Sequence, residues 1–323
     1  MAHLVETMAY AGETPWHGLG ERVSADMTPK QMLKAAHLDW KVGKKPMFFT
    51  GKNGKPVETT THALVRESDG SLLSVVGANY KPVQNEDALD FFSKFTEAGS
   101  MTMETAGSLA DGKFVWALAK VTEDFAIGKG DMIKPYLLLM SPHVFGKSLI
   151  MQYTPTRVVC WNTLQMALGD KLEGGRSRQT FRVPHSQSFK VKKEEAQTVF
   201  ATCMEQNKAF KEAAKFLASK KATKEKVDEF FCTLLDFDPR KADKEGGRVP
   251  LMLPKFQEAL VHAPGQQLAT AAGTWFGAVG AVTYVVDHES GSSNRQTALR
   301  NAWVGRKSRM KRDALSLALE MAS

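Results

Sequence analysis

Cysteine is scarce: Cys160, Cys203 and Cys232 are the only three in a chain of 323 residues. An odd, widely spaced set does not make a disulfide framework. No two of them stand at metal-ligand spacing, so no metal site is expected, and a reducing compartment suits them best. Long apolar runs are missing too. Lys, Arg, Asp or Gly interrupts every candidate before the roughly 18 residues that a membrane helix needs, so no membrane association is expected. Residues Met1–Tyr10 have no charged-then-apolar leader layout, which argues against export and for a cytoplasmic place. Catalytic signatures are also absent. There is no Gly-x4-Gly-Lys-Ser/Thr phosphate loop, no Gly-x-Ser-x-Gly elbow and no His-Glu-x-x-His. The sequence therefore singles out no catalytic residue and no cofactor, and it does not read as an enzyme. The composition, 43% hydrophobic and 24% charged, is that of a globular protein and excludes wholesale disorder.

Positive charge is present in surplus and in one place. Residues 1–160 hold 17 Lys and Arg against 17 Asp and Glu, whereas residues 161–323 hold 26 against 18. A one-sided cationic surplus is a footprint of polyanion binding.

The element pattern also changes near residue 160. Residues 14–20, Thr-Pro-Trp-His-Gly-Leu-Gly, read as an ordered loop. Thr28 suits an N-cap and Pro29 the first position of a helix running to about Leu38. Strands are expected at Val42–Thr50, Thr59–Arg66 and Leu72–Val76, with turns at residues 51–54 (Gly-Lys-Asn-Gly) and at Asp69-Gly70. A helix follows over Asn85–Ala98, with Asn85 as cap and Ala88, Leu89, Phe91, Phe92 and Phe95 as its apolar face. Strands return at Met101–Leu109, Lys113–Val121, Ile133–Met140 and Lys147–Tyr153, and Asp111-Gly112 is a hairpin turn. Beyond Arg157 the pattern turns helical. Asn162–Leu168 reads as a helix start with Asn162 as cap, a basic glycine-rich stretch spans 174–178, and a lysine-rich helix covers Lys192–Ser219. Another helix spans Thr223–Leu235, and Asp236–Pro254 reads as a linker. A Gly/Ala-rich helix over Gln266–Val286 suits either subunit packing or a monomer core, and a short helix closes the chain at Ala314–Met321. The expected fold class is α+β. A β-rich domain over 1–160, with antiparallel sheets, precedes a helical, basic region over 161–323 that packs on it or extends from it.

Two basic stretches stand out. Lys171–Lys193 holds seven cations against one acid, Glu173, with Phe181 and Phe189 interleaved; Arg300–Arg312 holds six cations and no acid, with Trp303 among them. Arginine clamps a phosphate bidentately, lysine adds point charge, and an exposed aromatic ring stacks a base. The plain alternative is a solvated surface with Phe181, Phe189 and Trp303 buried. The candidate nucleic-acid contacts are Arg157, Arg176, Arg178, Arg182, Lys190, Lys192, Lys193, Arg306, Lys307 and Arg309. The lysines between 208 and 226 alternate with glutamates and read as an ordinary helix face. No helix-turn-helix or RNA-recognition signature appears, so binding directed at the backbone is expected rather than sequence readout. Other constellations are weaker. His143 with Cys160 or Glu104 could supply a nucleophile and base, but Cys160 also reads as a small buried hydrophobe. His17 and the Asp287-His288 pair read as loop braces or caps as readily as acid–base groups.

Four motifs occur in order: residues 16–20 (Trp-His-Gly-Leu-Gly), 79–85 (Asn-Tyr-Lys-Pro-Val-Gln-Asn), 104–109 (Glu-Thr-Ala-Gly-Ser-Leu) and 154–164 (Thr-Pro-Thr-Arg-Val-Val-Cys-Trp-Asn-Thr-Leu). In these the chain resembles the phage/plasmid-like proteins grouped as domain of unknown function 932, over roughly residues 10–320. Many members have a His-Asp-Gly-Ser turn where this chain has His143-Val144-Phe145-Gly146. The resemblance implies a mobile-element protein in a bacterial cell and brings no established activity. In architecture alone, strands followed by a helix with basic flanks look like the core of phage single-strand annealing proteins of the Rad52 type, which form rings or filaments on DNA. The expected function is single-stranded DNA binding in annealing or recombination, without nucleotide hydrolysis and as a homo-oligomer. The alternative is an interaction module that counters a host defence factor.

Overall fold

The computed structural model describes residues 5–12, 19–157, 162–163, 180–183, 193–241, 248–289 and 306–323. Its architecture is α+β, with antiparallel sheets in the N-terminal part and helices in the C-terminal part. The described residues within 1–121, 136–153 and 172–203 form one compact unit; those within 122–135, 154–171 and 204–323 form a second.

Local chemistry explains the element ends in the first unit. Helix α1 (Pro29–Ala35) begins in a capping box. The Thr28 hydroxyl accepts from the Gln31 backbone N–H at 3.3 Å, and Gln31 Oε1 accepts from the Thr28 N–H at 2.9 Å. Strands β3 (Val42–Thr50), β4 (Pro56–Arg66) and β5 (Leu72–Gly77) form a three-stranded antiparallel sheet in that order. Its turns use Gly54 (φ 71°) and Gly70 (φ 73°), left-handed positions that glycine fills without strain. Val42, Leu64, Leu73 and Val76 make its buried face, against which Trp40 and Tyr80 pack.

The larger sheet runs β11-β10-β9-β7-β6-β1-β2, with β12 beside β10 and β8 beside β9. The strands are β1 (Val5–Ala11), β2 (Glu21–Val23), β6 (Thr102–Leu109), β7 (Phe114–Lys120), β8 (Phe125–Gly128), β9 (Asp131–Pro142), β10 (Leu149–Arg157), β11 (Asn162–Thr163) and β12 (Thr180–Val183). Leu137, Leu138 and Leu139 are all fully buried, so β9 is covered on both faces there. Helix α2 (Asn85–Ala98) lays Phe91, Phe92 and Phe95 inward and meets β7; α1 packs against α2, β1 and β6.

Two local expectations change here. The N-cap of α2 is Gln84, not Asn85, because the Asn85 amide faces inward and donates to the Leu38 carbonyl at 2.9 Å. Asn162, expected as a helix cap, instead pairs with Arg157 in an antiparallel ladder, as Thr163 does with Thr156; residues 164–168 of the expected helix start lie outside the described residues.

Helix α3 (Lys193–Ser219) leads into α4 (Lys224–Leu234), α5 (Met252–His262), α6 (Trp275–Tyr284), a π-helical turn (Val285–Glu289) and α7 (Arg306–Ala322). In the second unit, an aromatic chain joins α4, α5 and α6. Phe230 meets Trp275 edge-on at 5.9 Å between ring centroids, and Phe231 meets Phe256 at 5.4 Å. The Gly/Ala-rich helix is shorter than its composition predicts. Gly273 adopts φ 63° and the Thr274 hydroxyl accepts from the Gly277 N–H at 3.2 Å, so α6 starts only at Trp275. Trp275–Thr283 is buried throughout and packs against α5 and α7, which makes this helix a core element of its own unit.

Gly277 sits where backbone approaches backbone: an added Cβ would meet the Ala271 carbonyl oxygen. We expect Gly277→Ala to lower stability by about 1–3 kcal/mol, as overpacking of a tight core does. Gly77→Ala, where the new carbon meets nothing within 4 Å, should shift the urea midpoint little. Equal midpoints for the two variants would refute the contact.

Candidate nucleic-acid interface

Strand alternation sorts the first basic stretch. Strand β12 pairs antiparallel with β10, placing Ile150 opposite Arg182 and Met151 opposite Phe181. Phe181 stacks on Phe91 at 6.1 Å and touches Phe95 at 6.0 Å, whereas Arg182, one residue on, is exposed. Phe181 is therefore committed to packing on α2 and is not a free ring for a base. Arg157 ends β10, and Lys193 opens α3. Arg176, Arg178, Lys190 and Lys192 lie outside the described residues, as do Phe189 and Trp303.

The second stretch divides differently. Arg306, Lys307 and Arg309 occupy the first turn of α7, and Arg309 is exposed. A helix start carries partial positive charge, so nothing in helix stability favours three cations there. Lys311 is not surface charge at all. It is fully buried, and its Nζ lies 2.7 Å from Asp287 Oδ1 in the π-helical turn. Burial pushes the Lys311 ammonium below its ordinary value, opposed by the charge and hydrogen bond of Asp287. The acid missing from the sequence neighbourhood is thus supplied by another element. Arg312 donates to the Ser308 hydroxyl at 3.1 Å. The two stretches belong to different units, Arg182 and Lys193 to the first, Arg306–Arg309 to the second.

The acid–base candidates are engaged elsewhere. His143 is fully buried; its Nε2 lies 2.8 Å from Asn85 Oδ1, and its ring stands edge-on to Trp40 at 5.4 Å. Glu104 accepts from the Tyr136 hydroxyl at 2.6 Å. Asp287 accepts from Lys311, and the His288 ring lies against Tyr284 at 4.8 Å. Cys160 and His17 lie outside the described residues. Among the described residues no group of three or more His, Cys, Asp and Glu side chains could hold a metal ion, and no helix is long and apolar enough to cross a membrane.

The motif residues have structural partners. Gln84 clamps Val42 through both its amide atoms, accepting from the N–H at 2.9 Å and donating to the carbonyl at 3.0 Å. Ser108 donates to Glu6 at 2.8 Å. A family model described as a domain of unknown function (DUF932) matches residues 72–311, about three quarters of the chain. The chain belongs to the DUF932 family. The match begins at the first residue of β5, so β3, β4 and the 16–20 motif precede it, while the 79–85, 104–109 and 154–164 motifs fall inside it. No curated protein and no solved structure matches the chain.

One feature of this DUF932 chain escapes a charge count. Phe48 and Phe49, read from sequence as ordinary strand residues, are 54% and 56% exposed.

Proposed function

We propose that this DUF932 protein is a phage- or plasmid-encoded single-stranded DNA-binding protein that acts in annealing or recombination without nucleotide hydrolysis. The supporting observation is the cation surplus confined to residues 161–323. Arg182 and Arg309 are turned to solvent, and Arg306 and Lys307 stand where helix stability gives no reason for positive charge. Arg157, Arg176, Arg178, Arg182, Lys190, Lys192, Lys193, Arg306, Lys307 and Arg309 neutralise phosphates and release condensed counterions, which drives binding without reading bases. Annealing needs two strands held close with their bases available. Several copies on one strand, in the manner of the Rad52-type proteins, meet that need, and no covalent chemistry is required.

A mobility-shift titration against salt tests this. With about five to ten phosphate contacts, affinity for an oligonucleotide should fall by about two to four decades between about 50 and 200 mM salt. Arg309→Glu should flatten the log–log slope by about 0.7 or more. Absence of binding at low salt would sink the proposal. Retention of one protein from nuclease-treated host lysate, without DNA affinity, would favour the defence-countering module instead.

A further inference from the structure

Strand β5 is shorter than the hairpin beside it. It pairs with β4 only from Thr61 to Val65, while β3 and β4 continue pairing through Phe48 opposite Glu58, Phe49 opposite Val57 and Thr50 opposite Pro56. Among the described residues these last rungs form a two-stranded ribbon with no third strand. A register shift between Pro46 and Phe48 marks where the ribbon leaves the sheet, and Pro46 there offers no N–H to the ladder.

Such a ribbon has both faces in water, and ordinary patterning would make both polar. This one instead presents Phe48, Phe49 and Val57, the last 43% exposed. Consecutive strand residues point to opposite faces, so each face offers one phenyl ring. The same hairpin carries Lys45, Lys52 and Lys55, all exposed and without an ion pair among the described residues; Glu58 is the one acid of residues 44–60. Lys44 is engaged with the Ala78 carbonyl, and Lys41 with Glu86.

From this geometry we infer that the β3–β4 hairpin is an arm that stacks bases of single-stranded DNA on Phe48 and Phe49 while Lys45, Lys52 and Lys55 hold the adjoining phosphates. The inference deepens the proposed function and rests on it. Two features select this occupant. The charge is complementary to a polyanion, with three cations against one acid. A bilayer-inserting tip leads with its apolar residues; this tip is residues 51–55, Gly-Lys-Asn-Gly-Lys, and the rings sit behind it on the flanks. A strand lying along the ribbon meets ring and ammonium together, which is how sequence-tolerant binders of single strands are built.

The test uses the full chain, a labelled oligothymidylate and fluorescence anisotropy across a salt series. The Phe48→Ala/Phe49→Ala variant should bind about tenfold or more weakly with an unchanged salt slope, since stacking releases no counterions. The Lys52→Glu/Lys55→Glu variant should flatten the slope by about 1.4 or more. Both variants replace exposed side chains and should melt like the parent. Parent-like affinity in the phenylalanine variant, with the parent itself binding, would overturn the arm and leave the proposed function standing. No binding by the parent would remove both. Parent sedimentation with phosphatidylserine vesicles, or parent self-association by light scattering, lost in the phenylalanine variant without loss of DNA affinity, would assign the rings to a bilayer or a second copy and overturn the inference.

Discussion

Asp287→Asn should destabilise the protein by about 3–5 kcal/mol, because it leaves the Lys311 ammonium buried without its counter-charge. Lys311 is 0% exposed in its side chain and Asp287 7%, so water cannot replace the lost partner without rearrangement. The same logic predicts rescue. Lys311→Met added to Asp287→Asn removes the stranded charge and fills its volume, so the double variant should recover most of the loss. Urea unfolding of the two single variants and the double variant measures this as a cycle. A loss below about 1 kcal/mol in Asp287→Asn, or a double variant no better than that single, would show that the pair is less enclosed than its geometry indicates.

Alkaline lability should be the next largest effect, and Cys203 should be its main source. The thiol is 3% exposed on α3, and burial raises it from 9.0 to about 12. The folded state keeps this proton while the unfolded state releases it. The thiol's stabilising contribution is therefore complete below about pH 9 and is lost as pH rises toward 12. Tyr153, on β10, is raised well above 10.0, first by burial and then by the charge of Cys203, and acts in the same direction. The lowered Lys311 acts oppositely, since its unfolded form holds a proton that the folded form sheds earlier. Comparison with Cys203→Ala isolates the thiol. Between pH 8 and 10.5 the parent should lose about 2 kcal/mol more than the variant, at about 1.4 kcal/mol per pH unit. Parallel stability curves for the two proteins would refute this.

The parts of the fold written in local chemistry were legible in the sequence. Turn residues at 51–54, 69–70 and 111–112 delimit β3, β4, β5 and the β6–β7 hairpin close to where they lie. Thr28-Pro29 and Thr223 place two helix starts for the same reason. Strand β1 was not legible. Its seven residues pair with β6 about a hundred positions away, and its short parallel partner β2 has only three residues. No turn signal announces pairings of that range. The candidate site failed in two instructive ways. Counting charge along the chain cannot find Asp287, which neutralises Lys311 from another element. The strand Val42–Thr50 was legible, but not the exposure of Phe48 and Phe49 on it, which follows from β5 pairing with β4 only over Thr61–Val65.

Among the described strands β3 pairs with β4 alone, and Gln84 occupies the backbone of its first residue, Val42. Beyond Val42 the outward N–H and C=O groups of this edge form a template for another extended chain, and bare phenylalanines strengthen that adhesion. The ammonium groups of Lys45, Lys52 and Lys55 oppose it by like-charge repulsion between copies. On the inferred role of the arm, attraction for phosphate and restraint against self-adhesion would arise from one set of charges, and neither could be tuned without moving the other.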